Sequence, residues 1–419
     1  MSDGFSAIFW GVVTFSLLVV IHEGGHFMAA RFFGVKVHEF MVGLPGPAIR
    51  FRGKKTTYGI TAIPLGGYVR IAGMEPGPED PQLGAALASV TRHGTANAFT
   101  VATELGIDEA DADRLLLTLS DWSALEQVKD EEYTYRSTFD ASLAQDEGML
   151  LDRARSVTYR ALKTWQRIVL LSMGVVLNLL TAVLVFTITL SAFGFDQPTG
   201  AIGRVGSESA AALAGIKVGD QITRVGDVQT TDFQSLVAAV ATYEPGEQAT
   251  VVFVRDGDTK TTSVVFGTNP ETGNAQLGVS PGFEKVNPSV LEALALSFSY
   301  IGLTFVAIAG FFNPQTFTES VSQSSSVIGA AYITADAAKS GPLDYAFIVA
   351  VLSLSLGVIN IFPLPPLDGG RIALEIIEKL RGRPLPRDLA LGISVVGAVL
   401  LFALIGYLMF QDVSRLAAG

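Results

Sequence analysis

The sequence predicts an α-helical polytopic membrane protein. It carries a small membrane-associated β-hairpin sheet and an inserted extracytoplasmic α+β domain. Three observations point there. Hydrophobic residues make up 49% of the 419 positions, and they gather into runs at 5–21, 168–193, 290–312, 345–362 and 389–410. Each run is near the ~20 residues that span a bilayer. Basic residues cluster at 31–55, 153–167 and 371–387, beside the ends of these runs, where the cytoplasmic side is expected. Residues 197–285 instead carry short helix, turn and strand signals, as a soluble domain does.

Composition excludes several classes. A formal charge of −11 and the lack of a basic stripe with interleaved aromatics argue against nucleic acid as a partner. With no cysteine, disulfides and thiolate chemistry are excluded. The first apolar run has no basic segment before it and leads into His22-Glu23-Gly24-Gly25-His26 instead of a cleavage site, so it reads as a retained helix.

Region 1–74 holds the first transmembrane helix and the membrane-associated β region. The helix is expected over 4–33. His22 and His26 are four apart, so they project from one face about one turn apart. H-E-x-x-H on a helix supplies two zinc ligands with a glutamate beside them. At membrane depth such an ionisable cluster is a functional-site hypothesis by default. Gly24 and Gly25 each cost roughly 1 kcal/mol relative to Ala in a helix, which suggests close approach of a neighbouring backbone or of substrate. Strands are expected at Val35-Lys36-Val37, 48–52, 58–63 and 66–71, as a sheet at the cytoplasmic mouth of the helices. Its edge could add a strand from an unwound substrate.

Residues 75–150 read as an acidic soluble insertion on the cytoplasmic side, with a helix or helix pair over 107–128 and His93 in a solvated loop. Region 151–196 is a basic segment followed by the second span, from Ile168. Asn178 is that span's only strongly polar side chain, either an interhelical hydrogen bond or a group orienting a substrate carbonyl. Region 286–341 reads as an interfacial or re-entrant helix and a polar loop. Region 342–419 holds the third and fourth spans. Pro363, Pro365 and Pro366 forbid regular helix between them, and irregular backbone at membrane depth needs burial or a wet cavity. Asp368 sits there, in Leu367-Asp368-Gly369-Gly370. With all three basic clusters inside, the His pair and Asp368 share the cytoplasmic side, provided that 290–312 does not cross.

Two histidines and one carboxylate, with a fourth position open, form a catalytic zinc set. The carboxylate beside the first histidine can serve as general base for attack on an amide carbonyl. These motifs together resemble the site-2 protease family of intramembrane zinc metalloproteases, most closely the bacterial regulator-of-sigma-factor branch. The resemblance runs through H-E-G-G-H, the Gly66-Gly67-Tyr68-Val69 region, Gly174 to Asn178, and Asn360-Ile361-Phe362-Pro363-Leu364-Pro365-Pro366-Leu367-Asp368-Gly369-Gly370. It implies Zn2+ as cofactor, with His22, His26 and Asp368 as ligands, Glu23 as general base, and Asn178 and Asn360 as substrate- or site-positioning groups. It also implies multi-pass residence in the plasma membrane, with the active site toward the cytoplasm. The implied partners are the lipid bilayer and single-pass transmembrane substrates already shortened by another protease, in regulated intramembrane proteolysis.

The soluble domain, with Ala214-Gly215-Ile216-Lys217-Val218-Gly219-Asp220, resembles a circularly permuted PDZ domain. That resemblance implies binding of a chain end or extended peptide by strand addition, with Leu277, Gly278 and Val279 as candidate positions. Departures from the family pattern are Gly24 for a bulkier residue, Gly174-Val175 for Gly-Pro, Ser324-Ser325-Ser326 for a Ser-Gly-Pro element, and the length of the acidic insertion. An inactive relative acting as a PDZ scaffold is disfavoured by the intact Glu23. A transporter with buried His and Asp predicts paired broken helices in repeated halves, and the sequence has no internal repeat.

Overall fold

A computed structural model of the protein describes residues 3–63, 66–128, 131, 133–269 and 273–418. The chain forms two units, Met1–Thr187 with Leu294–Gly419, and Ile188–Ala293. Among the described residues, five helices are long and apolar enough to cross a membrane: Gly4–Phe32, Thr164–Phe193, Val290–Phe312, Pro342–Ile359 and Arg387–Arg415.

In the first unit, helix α1 (Asp3–Phe32) is followed by strands β1 (Val37–Val42), β2 (Ala48–Arg52), β3 (Thr57–Thr61) and β4 (Gly67–Ile71). The sheet order is β2-β3-β1-β4. β2 and β3 form the expected hairpin, with Ile49 opposite Ile60, while β1 runs parallel to β3 and antiparallel to β4. The first strand starts later than expected. Val35 N–H returns to Ala30 O and Lys36 N–H goes to Val157 O, so neither joins the ladder.

The insertion is more than a helix pair. It comprises α2 (Leu83–His93), β5 (Thr95–Asn97), α3 (Ala98–Leu105), α4 (Glu109–Asp121), β6 (Leu125–Gln127), β7 (Thr134–Ser137) and α5 (Glu147–Arg155). Leu87, Leu116, Leu119 and Trp122 centre a core of its own. Leu125 belongs to a strand because α4 ends at Asp121 and the chain turns through Ser123, at φ 61°. His93 closes α2, its Nδ1–H donating to Ser89 O at 2.9 Å. It is exposed as expected, but helical.

Helix α6 (Thr164–Phe193) starts before Ile168, because Arg167 turns back to donate to the Leu162 and Arg160 carbonyls. The second unit contains β8 (Phe195–Val205), α7 (Ala210–Leu213), β9 (Gln221–Val225), β10 (Val228–Gln229), α8 (Phe233–Val240), β11 (Gln248–Arg255), β12 (Asp258–Val265), β13 (Gly267–Thr268), β14 (Ala275–Gln276) and β15 (Val279–Val286). Its main sheet runs β12-β11-β9-β8-β15, leaving β15 as an edge. The Gly-Asp signature has a structural reason. Burial raises the Asp220 carboxyl's pKa, but the Arg255 guanidinium at 2.7 Å and the Lys217 N–H outweigh it and hold the group below its usual value.

The expected polar loop at 313–341 is instead largely helical. After α9 (Val290–Ala309) come α10 (Phe317–Gln323) and α11 (Val327–Ser340), then α12 (Pro342–Ile359), α13 (Asp368–Arg381) and α14 (Arg387–Ala418). The serines that read as loop are caps and back-bonded helix residues. The Ser326 hydroxyl caps α11 and its N–H donates to Asp412 at 2.6 Å, while the Ser322 and Ser324 hydroxyls return to Glu319 O and Ser320 O. α11 packs along α1 through small residues, with Ala331 directly against Gly11.

Candidate metal centre

His22 and His26 are both buried on α1, their ring centroids 5.0 Å apart. His26 Nδ1 lies 2.9 Å from Leu170 O, which can only accept. The ring must therefore carry its proton on Nδ1, which leaves a lone pair on Nε2. That nitrogen is 3.4 Å from His22 Nε2. Asp368, the first residue of α13, sends Oδ2 to 3.0 Å from His22 Nε2 and 3.2 Å from His26 Nε2. The three ligand atoms lie within 4.8 Å of one another, a group able to hold a metal ion. Two imidazoles and a carboxylate match the donor set of a catalytic zinc centre.

The space for that group is made by glycine. A Cβ on Gly174 of α6 would collide with His26 Nε2 and come within 2.8 Å of His22 Cε1. Gly25 lies against the Met173 carbonyl, so α1 and α6 meet backbone to backbone. The cost of Gly25 in a helix thus has the reason its position suggested. Gly24 does not share it, since a Cβ there meets nothing within 4 Å.

Residues 10–404 match peptidase family M50. The chain belongs to peptidase family M50. It is similar to the zinc metalloprotease RasP of Oceanobacillus iheyensis, 27% identical over 425 residues that cover 97% of this chain and 98% of that one. It is also similar to the regulator of sigma-W protease RasP of Bacillus subtilis, 24% identical with 97% of each chain covered. A PDZ domain of an SdrC-like protein from Listeria monocytogenes matches 20% of this chain and 88% of its own, at 13% identity and a TM-score of 0.19. This M50 peptidase is a site-2 protease family member and a zinc-dependent metalloprotease.

A cavity of about 290 Å³ opens on the His pair and Asp368 of the peptidase, with Glu23 and Asn360 in its wall and β4 along one side. Asn178 is fully buried, with its amide nitrogen 3.3 Å from His22 Nδ1 and its Oδ1 without a partner. A half-turn of the amide exchanges the two atoms. Oδ1 then accepts from His22 Nδ1–H, the orphaned oxygen is satisfied, and His22 Nε2 is freed as a ligand. Asn178 therefore makes an interhelical contact to a histidine, the first of the two readings its sequence position offered. Asn360 lines the cavity, but its side chain donates to Leu356 O at 2.9 Å, and its carbonyl accepts from Gly369 N at 2.7 Å. Its contacts secure the bend that delivers Asp368.

Three features escaped sequence reasoning. The Leu170 carbonyl carries no sequence signal. Arg371, three residues after Asp368, lines the cavity but read only as part of a basic cluster. Glu375 anchors α13, accepting from Tyr159 Oη at 2.8 Å and facing Arg167 at 3.4 Å. His38, the other histidine near the sheet, is not part of the centre. Its Nε2 lies 2.6 Å from Asp121 O.

In the second unit, Leu277 is buried, and its carbonyl and that of Gly278 accept from Ala211 and Gly206 N–H. Val279 opens the edge strand β15.

Proposed function

We propose that this chain is an intramembrane zinc metalloprotease that cuts single-pass substrates within or near their transmembrane segments, in regulated intramembrane proteolysis. The observation that carries this is the convergence of His22, His26 and Asp368 beside Glu23 in one cavity walled by a sheet edge. His22 and His26 would hold zinc through Nε2, and Asp368 through its carboxylate. When bound there, zinc supplies Lewis acidity and an activated water. Glu23 takes the proton of the attacking water and passes it to the leaving amide nitrogen. Asn178 orients His22, and Asn360 keeps the Asp368 bend in place. The outer edge of β4, at the end of its sheet, takes an extended substrate segment as an added strand.

The second unit is a PDZ-like module on the extracytoplasmic side. It receives a chain end beside β15 through Leu277, Gly278 and Val279, and limits access by long ectodomains. Segment 290–312 re-enters without crossing. Ser297 near its start faces Thr187 at 3.3 Å, and Phe305 and Phe312 stack on Phe362 in the broken stretch. The chain then returns to the end of α14 at the Ser326–Asp412 contact. A topology reporter fused at Ser325 should read extracytoplasmic, and a cytoplasmic signal overturns this arrangement.

Glu23→Gln tests the chemistry. The variant should keep stoichiometric zinc and fold, while cleavage of a single-pass substrate falls by about 10²–10⁴-fold or more. Retained cleavage overturns the assignment of the base.

A further inference from the structure

Beside the metal cavity lies a second cavity of about 380 Å³. The two share Tyr68, Val69, Ile71, Met74 and Arg371, so Arg371 stands at their junction. The outer cavity adds Arg70, Glu75 and Asp121. Its wall is too polar for the apolar core of a membrane helix. It suits the polar chain that flanks one.

The charges in that wall are not equivalent. Arg70 is already paired with Asp121 at 3.2 Å, and Asp121 also accepts from Gly73 N–H at 2.8 Å. The Asp368 carboxylate is taken by the two histidines. Glu75 lines only the outer cavity. Arg371 is exposed and, among the described residues, its guanidinium has no hydrogen bond or ion pair. The junction therefore presents a cation without a direct partner, facing Glu23 across the metal cavity and Glu75 across the outer one. A peptide strand laid along β4 passes from the metal cavity toward this junction. β4 has five residues, so at ~3.3 Å per residue its length corresponds to about four residue-to-residue steps of substrate.

We propose that Arg371 is a specificity-determining residue, selecting substrates with an Asp or Glu within about four residues of the scissile bond, on the polar flank that occupies the outer cavity. The inference rests on the protease reading above. A guanidinium offers a planar fork for a carboxylate, and a charge-assisted pair of this kind is stronger than a neutral hydrogen bond.

The test uses the full-length, zinc-loaded protein and a series of single-pass substrates with Asp, Asn or Lys at each flank position in turn. At one position the Asp substrate should exceed the Lys substrate in kcat/KM by about tenfold, mostly through KM. Arg371→Gln should abolish the preference, and Arg371→Glu should reverse it. Arg70→Gln, at a cation already paired, should leave it in place. The affinity of the uncleaving Glu23→Gln chain for flank peptides of the same series reads the contrast without chemistry. A failure of cleavage alone therefore counts against the proposed function and not against Arg371. A wild-type chain that binds Asp and Lys peptides equally, or an Arg371→Gln chain that keeps the preference, overturns the inference.

Discussion

The two halves of the candidate centre are built by opposite means. His22 and His26 ride on an uninterrupted helix, and their mutual placement follows from its pitch. Asp368 arrives on a chain that has stopped being helical between Ile359 and Asp368. That stretch is fixed by backbone packed on backbone: Gly369 against Ile361, Gly370 against Leu364 and Pro365, and Gly397 of α14 against the Pro365 carbonyl. The histidine half needs only room, which glycines of α1 and α6 provide. The aspartate half needs a shape. Substitutions that remove room should therefore act on all ligands together, and substitutions that disturb the shape should act through Asp368 alone.

The largest effect is expected at Gly174. Gly174→Val puts a branched side chain where the imidazoles lie, since even a Cβ collides with His26 Nε2. Stoichiometric zinc, measured by elemental analysis of purified protein, should be lost together with cleavage. Gly24→Ala lies in the same motif but meets open space. It should keep zinc and gain about 1 kcal/mol of helix stability. If both variants behave alike, space is not what the histidine half requires.

On the aspartate side, Gly370→Ala forces a Cβ into the Leu364–Pro365 backbone, which cannot yield as a flexible side chain would. The start of α13 must shift, and Asp368 with it. Zinc should still bind through the histidines, but about a hundredfold more weakly, taking the upper end of what a displaced supporting shell costs. Competition with a chelator measures this. Unchanged affinity would mean that Asp368 is held by something other than the broken stretch.

The same contrast explains what could be read from the sequence. Four-residue spacing is local, so the His pair and Glu23 were legible in it, and the apolar runs were legible by length. Asp368 was legible because prolines mark an irregular stretch and basic residues mark a side. The segment 313–341 misled because its Ser and Thr content looks like a loop. Its hydroxyls serve as caps and return bonds, Ala331 packs on Gly11 of α1 and Gly329 on Asp412 of α14, which composition does not reveal. The role of Asn178 stayed open between two readings for a related reason. A buried amide in a helix looks the same in sequence whether it meets substrate or His22. The core of the insertion was hidden because its strands are only three or four residues long.

The smallest effect, and the sharpest on the aspartate half, concerns the far end of α13. Glu375 lies seven residues after Asp368, two turns along and on nearly the same face. Burial first, and then the facing Glu375 carboxylate, raise the pKa of the Tyr159 hydroxyl well above its usual value, so it remains a donor to that carboxylate at 2.8 Å. Tyr159→Phe removes this bond and leaves Arg167 as the carboxylate's partner at 3.4 Å. Loss of one hydrogen bond to a charged group should destabilise the fold by about 1.5 kcal/mol. If α13 moves as a rigid rod, zinc affinity should also fall, by roughly threefold, a small fraction of the supporting-shell range. Stability from denaturant titration and affinity from chelator competition separate the two. A chain that loses stability but keeps its zinc affinity would show that Asp368 is set entirely by the broken stretch, with the rest of α13 only hanging from it.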